Sequence, residues 1–197
     1  DISITEDDEG LGAARLSLLA DVAELAMRGS SVEAFFAALN DLLSGNAAAE
    51  CILIWLTDSR HNPEHSAAGP GWTRISPEQA IGRTESWLRD SAQEGGGTGE
   101  AEEAVAESQP IRVMSPSLEA YDTDLALLNL SCLEGGSLRI LVGSEHSPQT
   151  LHPGSIRFFR VLAGILVSAL DRIRSETEKT IVQRQVLEAK TSCIEAG

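Results

Sequence analysis

The sequence predicts an α+β domain, and three observations carry that expectation. Short apolar runs of strand length occupy the middle of the chain, at residues 51–56, 125–133 and 138–143. Longer stretches with helical periodicity stand at both ends, at 11–28 and from Pro153 onward. Gly, Pro, Asn and Ser clusters punctuate the transitions between them.

The chain has 197 residues, enough for one domain with a full hydrophobic core. Only 4% of residues are aromatic, so Leu, Ile, Val and Ala must fill that core. Fifteen Lys and Arg face thirty Asp and Glu, for a net charge of -15. Nucleic acid and anionic membranes attract clustered positive charge, and this field repels both, so no nucleic-acid partner is expected. The longest apolar-rich stretch, 156–170, is interrupted by Arg157, Arg160, Gly164 and Ser168, and direct membrane insertion is not expected. Cys51, Cys132 and Cys193 are odd in number and lack a CxxC pair. That pattern points to structural thiols in a reducing, cytoplasmic setting, without disulfide or zinc. The opening at Asp1 and the weak polar tail at 191–197 read as a piece excised from something larger.

Along the chain, residues 1–10 carry five acidic side chains and little apolar weight, and are expected to fray as a disordered tail. Residues 11–28 form a helix with Leu16, Leu19, Ala23 and Ala26 on one stripe and Leu18, Val22 and Leu25 beside it. Ser30 followed by Glu33 has capping-box spacing and opens a second helix, with Val32, Phe36, Leu39 and Leu43 on one face. Residues 51–56 (Cys-Ile-Leu-Ile-Trp-Leu) read as a strand covered on both faces, and residues 65–68 as a second short one. Ser76-Pro77-Glu78-Gln79 starts a helix reaching about residue 94: Ser as N-cap, Pro at the first helical position, Gln three after the cap. The Gly- and Glu-rich segment 94–107 reads as a mobile loop leading into one or two helical turns.

Residues 111–114 look like a brief strand. Residues 125–133 and 138–143 are two more, joined through Glu134-Gly135-Gly136-Ser137, a hairpin signal because a tight turn calls for positive φ. Pro153 starts the longest helix. Ile156, Phe159, Ala163, Leu166, Leu170 and Ile173 form one apolar stripe, and Phe158, Leu162, Ile165 and Ala169 form another. A helix packed on one sheet needs a single apolar face, so a partner subunit is the economical cover for the second. Beyond Ile173 the pattern continues weakly through Thr177, Ile181 and Leu187, as in a coiled coil leaving the domain.

In this order of elements the chain resembles a GAF domain over residues 11–174, most closely in the hairpin at 127–143. Leu151-His152-Pro153, entering a helix that ends Ala169-Leu170-Asp171-Arg172, resembles the closing helix of that family. The resemblance implies a central antiparallel sheet of about five or six strands with N- and C-terminal helices packed on one face. It also implies a small-molecule pocket on the other face and a dimeric input module whose effector domain lies elsewhere in the parent protein. On this scheme residues 175–197 are a C-terminal helical extension or linker. Bilin attachment needs a Cys beside a His, and none of the three cysteines has one. The Asn-Lys-Phe…Asp-Glu signature of cyclic-nucleotide-binding members is missing, and so are the clustered cysteines of free methionine sulfoxide reductases.

Trp72, Trp87 and Tyr121 lie in the stretch that roofs such a pocket, with Arg74 and Arg83 placed to hold an anionic group. The plainer reading makes Trp87 core for its own helix and Arg83 a surface charge. His61 and His65 have metal-pair spacing, but Pro63 between them removes the helix such a pair needs, and a solvated loop is expected. The expected function is a non-catalytic regulatory GAF-type domain that senses a small molecule and relays the signal through a helical homodimer. Leu18, Val22, Leu25, Phe158, Leu162, Ile165 and Ala169 are the expected interface. The alternatives are a degenerate GAF-like dimerisation scaffold without ligand and, last, an enzyme such as a sulfoxide reductase, which lacks a nucleophile and base here.

Overall fold

A computed structural model of the chain describes residues 6–72, 75–93, 104–106, 109–114, 126–132, 136–143 and 153–195. It is α+β. The helices are α1 (Glu6–Arg28), α2 (Val32–Ser44), α3 (Pro77–Gln93) and α4 (Pro153–Glu195). The strands are β1 (Ile52–Thr57), β2 (Pro63–Ala68), β3 (Ala104–Ala106), β4 (Gln109–Met114), β5 (Ala126–Ser131) and β6 (Ser137–Val142). They pair antiparallel in the order β2-β1-β6-β5-β4-β3.

Alternation along the strands divides the interior in two. Ile52, Ile54 and Leu56 of β1, Leu128 and Leu130 of β5, and Leu138, Ile140 and Val142 of β6 enter a large core with α1, α2 and α4. Leu53, Trp55, Leu127 and Leu141 point the other way, into a smaller cluster with Ile75, Ala80 and Ile81 under α3. Strands covered on both faces need apolar residues at every position, which is why β1 reads as one unbroken apolar run.

Local chemistry sets the helix ends. The Ser31 hydroxyl accepts from the Ala34 amide at 3.1 Å, so α2 is capped by Ser31 and not by Ser30. At α3 the expected box forms: the Gln79 amide donates to Ser76 Oγ at 3.3 Å and the Ser76 amide to Gln79 Oε1 at 3.4 Å. Helix α1 begins at Glu6, inside the segment expected to fray. Its first residues are Glu-Asp-Asp-Glu, and carboxylates are favoured at the positive end of the helix dipole. Residues 104–106, expected as helical turns, pair with β4 as a strand.

In the β5–β6 connection only Gly136 and Ser137 of the expected turn are among the described residues. Gly136 is not among the positive-φ residues. A Cβ there would sit 2.4 Å from the Thr57 carbonyl oxygen, so close approach to β1 is what demands glycine. Gly135 lies outside the described residues.

Helices α1 and α4 run side by side in the same direction. Arg15 sits 5.3 Å from the Phe158 ring centroid near one end. Towards the other, Arg172 donates to the carbonyls of Ala26 (2.6 Å) and Gly29 (3.1 Å). That guanidinium satisfies free carbonyls at the negative end of α1 from a distant helix. This packing corrects the expected interface. Leu18, Val22, Phe158, Leu162 and Ala169 are buried within one chain, and Leu25 and Ile165 are partly buried there. Most of the second apolar stripe of α4 is thus covered within the single chain, and the five buried residues are not free to meet a partner in this packing. Leu16, which shares an apolar stripe of α1 with Leu19, Ala23 and Ala26 in the sequence pattern, is exposed.

Helix α4 continues for 43 residues, far beyond the last side chain it places in the core, Ile173. Residues 175–189 are all exposed. Among them Ile181, Val182, Val186 and Leu187 are 49–67% accessible, high for large apolar side chains.

Candidate functional site

The layer between α3 and the sheet holds the chemistry that the fold buries. Helix α3 turns Ala80, Ile81, Thr84 and Glu85 inward, spaced as one helical face. Three of these are unremarkable in a core, since Thr84 Oγ1 donates to the Ala80 carbonyl at 2.8 Å. Glu85 is a carboxylate on an apolar stripe, only 4% exposed.

Its partners come from the sheet. Trp55 of β1 lies opposite Arg139 of β6, and Arg139 lies opposite Asn129 of β5. The three therefore form one row across three strands. The Trp55 indole Nε1–H donates to Glu85 Oε1 at 2.6 Å, and the Arg139 guanidinium pairs with the same oxygen. Arg139 Nε donates to Asn129 Oδ1 at 3.3 Å, which fixes the orientation of the guanidinium. Arg139 is 4% exposed, so both charges have left water.

Such a pair contributes little net stability, because its mutual attraction mostly offsets the cost of desolvating two ions. What it does is fix geometry: it holds α3 at one place on the sheet by directional contacts.

The residues expected to line a pocket are only partly brought together. Trp72 and Trp87 are half-buried and pack on the small cluster beneath α3. The Trp72 indole donates to the Ile52 carbonyl at 3.2 Å. Arg83 is exposed on α3. Arg74 and Tyr121 lie outside the described residues. Nothing in the residue pattern singles out Glu85 or Asn129, and Trp55 stands there simply as part of an apolar strand. The one signal in the sequence is a lone arginine within Leu138-Arg139-Ile140-Leu141-Val142, where both neighbouring faces are apolar.

Two other places carry polar groups. A groove of about 330 Å³ runs along Pro63, Glu64, His65 and Ser66 of edge strand β2, facing Glu78, Ile81 and Gly82. His65 stacks on Phe36 with ring centroids 5.6 Å apart, while His61 belongs to the turn that Asp58 organises. There the Asp58 carboxylate accepts from the amides of Arg60 and Asn62, both at 2.8 Å. The side-chain hydrogen bond from Asn62 is the main cause holding the Asp58 carboxyl below the usual range. Among the described residues, no group of three His, Cys, Asp or Glu side chains is placed to hold a metal ion. Burial pushes the Cys132 thiol up, which leaves it a poor nucleophile. No helix among the described residues is long and apolar enough to cross a membrane.

In comparisons with known proteins, no family model matches the chain, and no curated protein matches it either.

Proposed function

We propose that this chain is a non-catalytic regulatory domain of the GAF type, which senses a small molecule beneath α3 and relays the signal through α4 in a homodimer. One observation carries the reading: α3 and α4 lie on opposite faces of the same two strands, β1 and β6, and α4 runs on past the domain. Successive residues of those strands touch the two layers in turn, so a displacement under α3 moves side chains packed on α4. The antiparallel sheet with the terminal helices on one face supports the family resemblance.

The dimer contact in this reading is the exposed length of α4. Residues 175–195 hold four acidic residues (Glu176, Glu178, Glu188, Glu195) against three basic ones (Lys179, Arg184, Lys190), a difference of one on a chain of net charge -15. Two copies meeting there avoid the repulsion that the rest of the surface imposes. Light scattering should give wild type near twice the 21.0 kDa chain mass. Val182→Glu with Leu187→Glu should give one chain mass while keeping a cooperative unfolding transition, since both positions are exposed in the single chain. A wild type that stays monomeric at high micromolar concentration would remove the relay reading.

A ligand-free scaffold is the second reading, favoured by the burial of Leu53, Trp55, Leu127 and Leu141 under α3. A ligand bound only by the folded chain raises the unfolding midpoint as its concentration exceeds Kd. Thermal unfolding against a panel of small metabolites therefore separates the two: a sensor shows a saturable rise with at least one compound, and a scaffold with none.

A further inference from the structure

We propose that the row Trp55–Arg139–Asn129 is a carboxylate-binding site, occupied in this structure by the Glu85 side chain and open to a small carboxylate ligand when α3 lifts. The proposal rests on the sensor reading for the ligand's role as a signal, and it names the ligand's chemical class.

The host and the guest belong to different elements. All three row residues are adjacent in register on the sheet, and Asn129 holds the Arg139 guanidinium in place through Nε. Their donors, an indole N–H and a guanidinium, converge on one carboxylate oxygen. An arginine held in place by a neighbouring amide, beside a second fixed donor, is suited to bind a carboxylate oxygen. The carboxylate itself is delivered by α3. If the layer needed only to hold a helix on a sheet, an apolar residue at position 85 would continue the stripe of Ile81 and Leu88 without desolvating a charge. With a net charge of -15 on the chain, a small monoanion approaches this site against less repulsion than a doubly charged phosphate does.

The test uses the correspondence between the side chain and a free molecule. Glu85→Ala deletes two carbons and two oxygens, the heavy atoms of acetate. Thermal unfolding and tryptophan emission of Glu85→Ala are followed against sodium acetate, with sodium chloride and sodium phosphate as controls at equal ionic strength. The expected result is a saturable rise in midpoint and a change in emission with acetate that neither control produces. In wild type, where Glu85 competes, half-saturation should need at least tenfold more acetate. Glu85→Gln keeps the space filled and should not respond, and adding Arg139→Met to Glu85→Ala should abolish the response.

An acetate effect no larger than that of chloride, or one that survives Arg139→Met, overturns the proposal. A wild type responding as readily as Glu85→Ala overturns it too, and phosphate acting as well as acetate overturns the assigned class. If Glu85→Ala does not fold in chloride, it should regain cooperative unfolding when refolded in acetate, and failure to do so counts against the site. A neutral compound that stabilises wild type while acetate fails on Glu85→Ala would leave the sensor reading standing and remove this one.

Discussion

Arg139→Met should destabilise the domain by about 3–5 kcal/mol, because it leaves the Glu85 carboxylate buried without a counter-charge. The indole of Trp55 then remains a donor to that oxygen, and one neutral hydrogen bond does not replace a cation. Replacing both partners, Arg139→Met with Glu85→Leu, should recover most of the loss, since an apolar pair of similar volume carries no desolvation cost. Chemical denaturation of the two single variants and the double variant gives the coupling directly. A double variant that loses the sum of the two single losses would mean that the two side chains act apart, against the shared contact between them.

The other large effect is expected at Leu18. Its side chain is fully buried between α1 and the neighbouring helices. Leu18→Glu removes a fully buried Leu, worth about 1.5–3 kcal/mol, and places a carboxylate where it has no partner, at a further cost of several kcal/mol. The sum approaches the whole stability of an average domain. Circular dichroism should show loss of the cooperative transition at any protein concentration. A Leu18→Glu protein that stays folded and merely halves its mass would return this stripe to the dimer interface.

That contrast marks what the residue pattern can and cannot convey. The doubled apolar face of α4 was legible in the spacing of Phe158, Leu162, Ile165 and Ala169, and so was the need for a cover. Periodicity records that a face is covered and is silent on whether the cover comes from the same chain. Capping at Ser76 was legible because its partner Gln79 is local, whereas the choice between Ser30 and Ser31 depends on which turn lets Phe35 and Phe36 reach the core. Strand β3 was illegible: Ala-Val-Ala among glutamates has little strand character, and pairing with β4 supplies it. The site was hidden for a related reason. Glu85 and Arg139 are ordinary charged residues one at a time, and only the cross-strand register brings the arginine beside Trp55 and beneath α3.

The parallel course of α1 and α4 has a mechanical meaning. A helix feeding into α1 and a helix leaving from α4 emerge at opposite ends of the domain, as couplings do on a shaft. At about 1.5 Å per residue, α4 alone extends roughly 64 Å. The clasp of Arg172 on the carbonyls of Ala26 and Gly29 ties the far end of the first helix to the second.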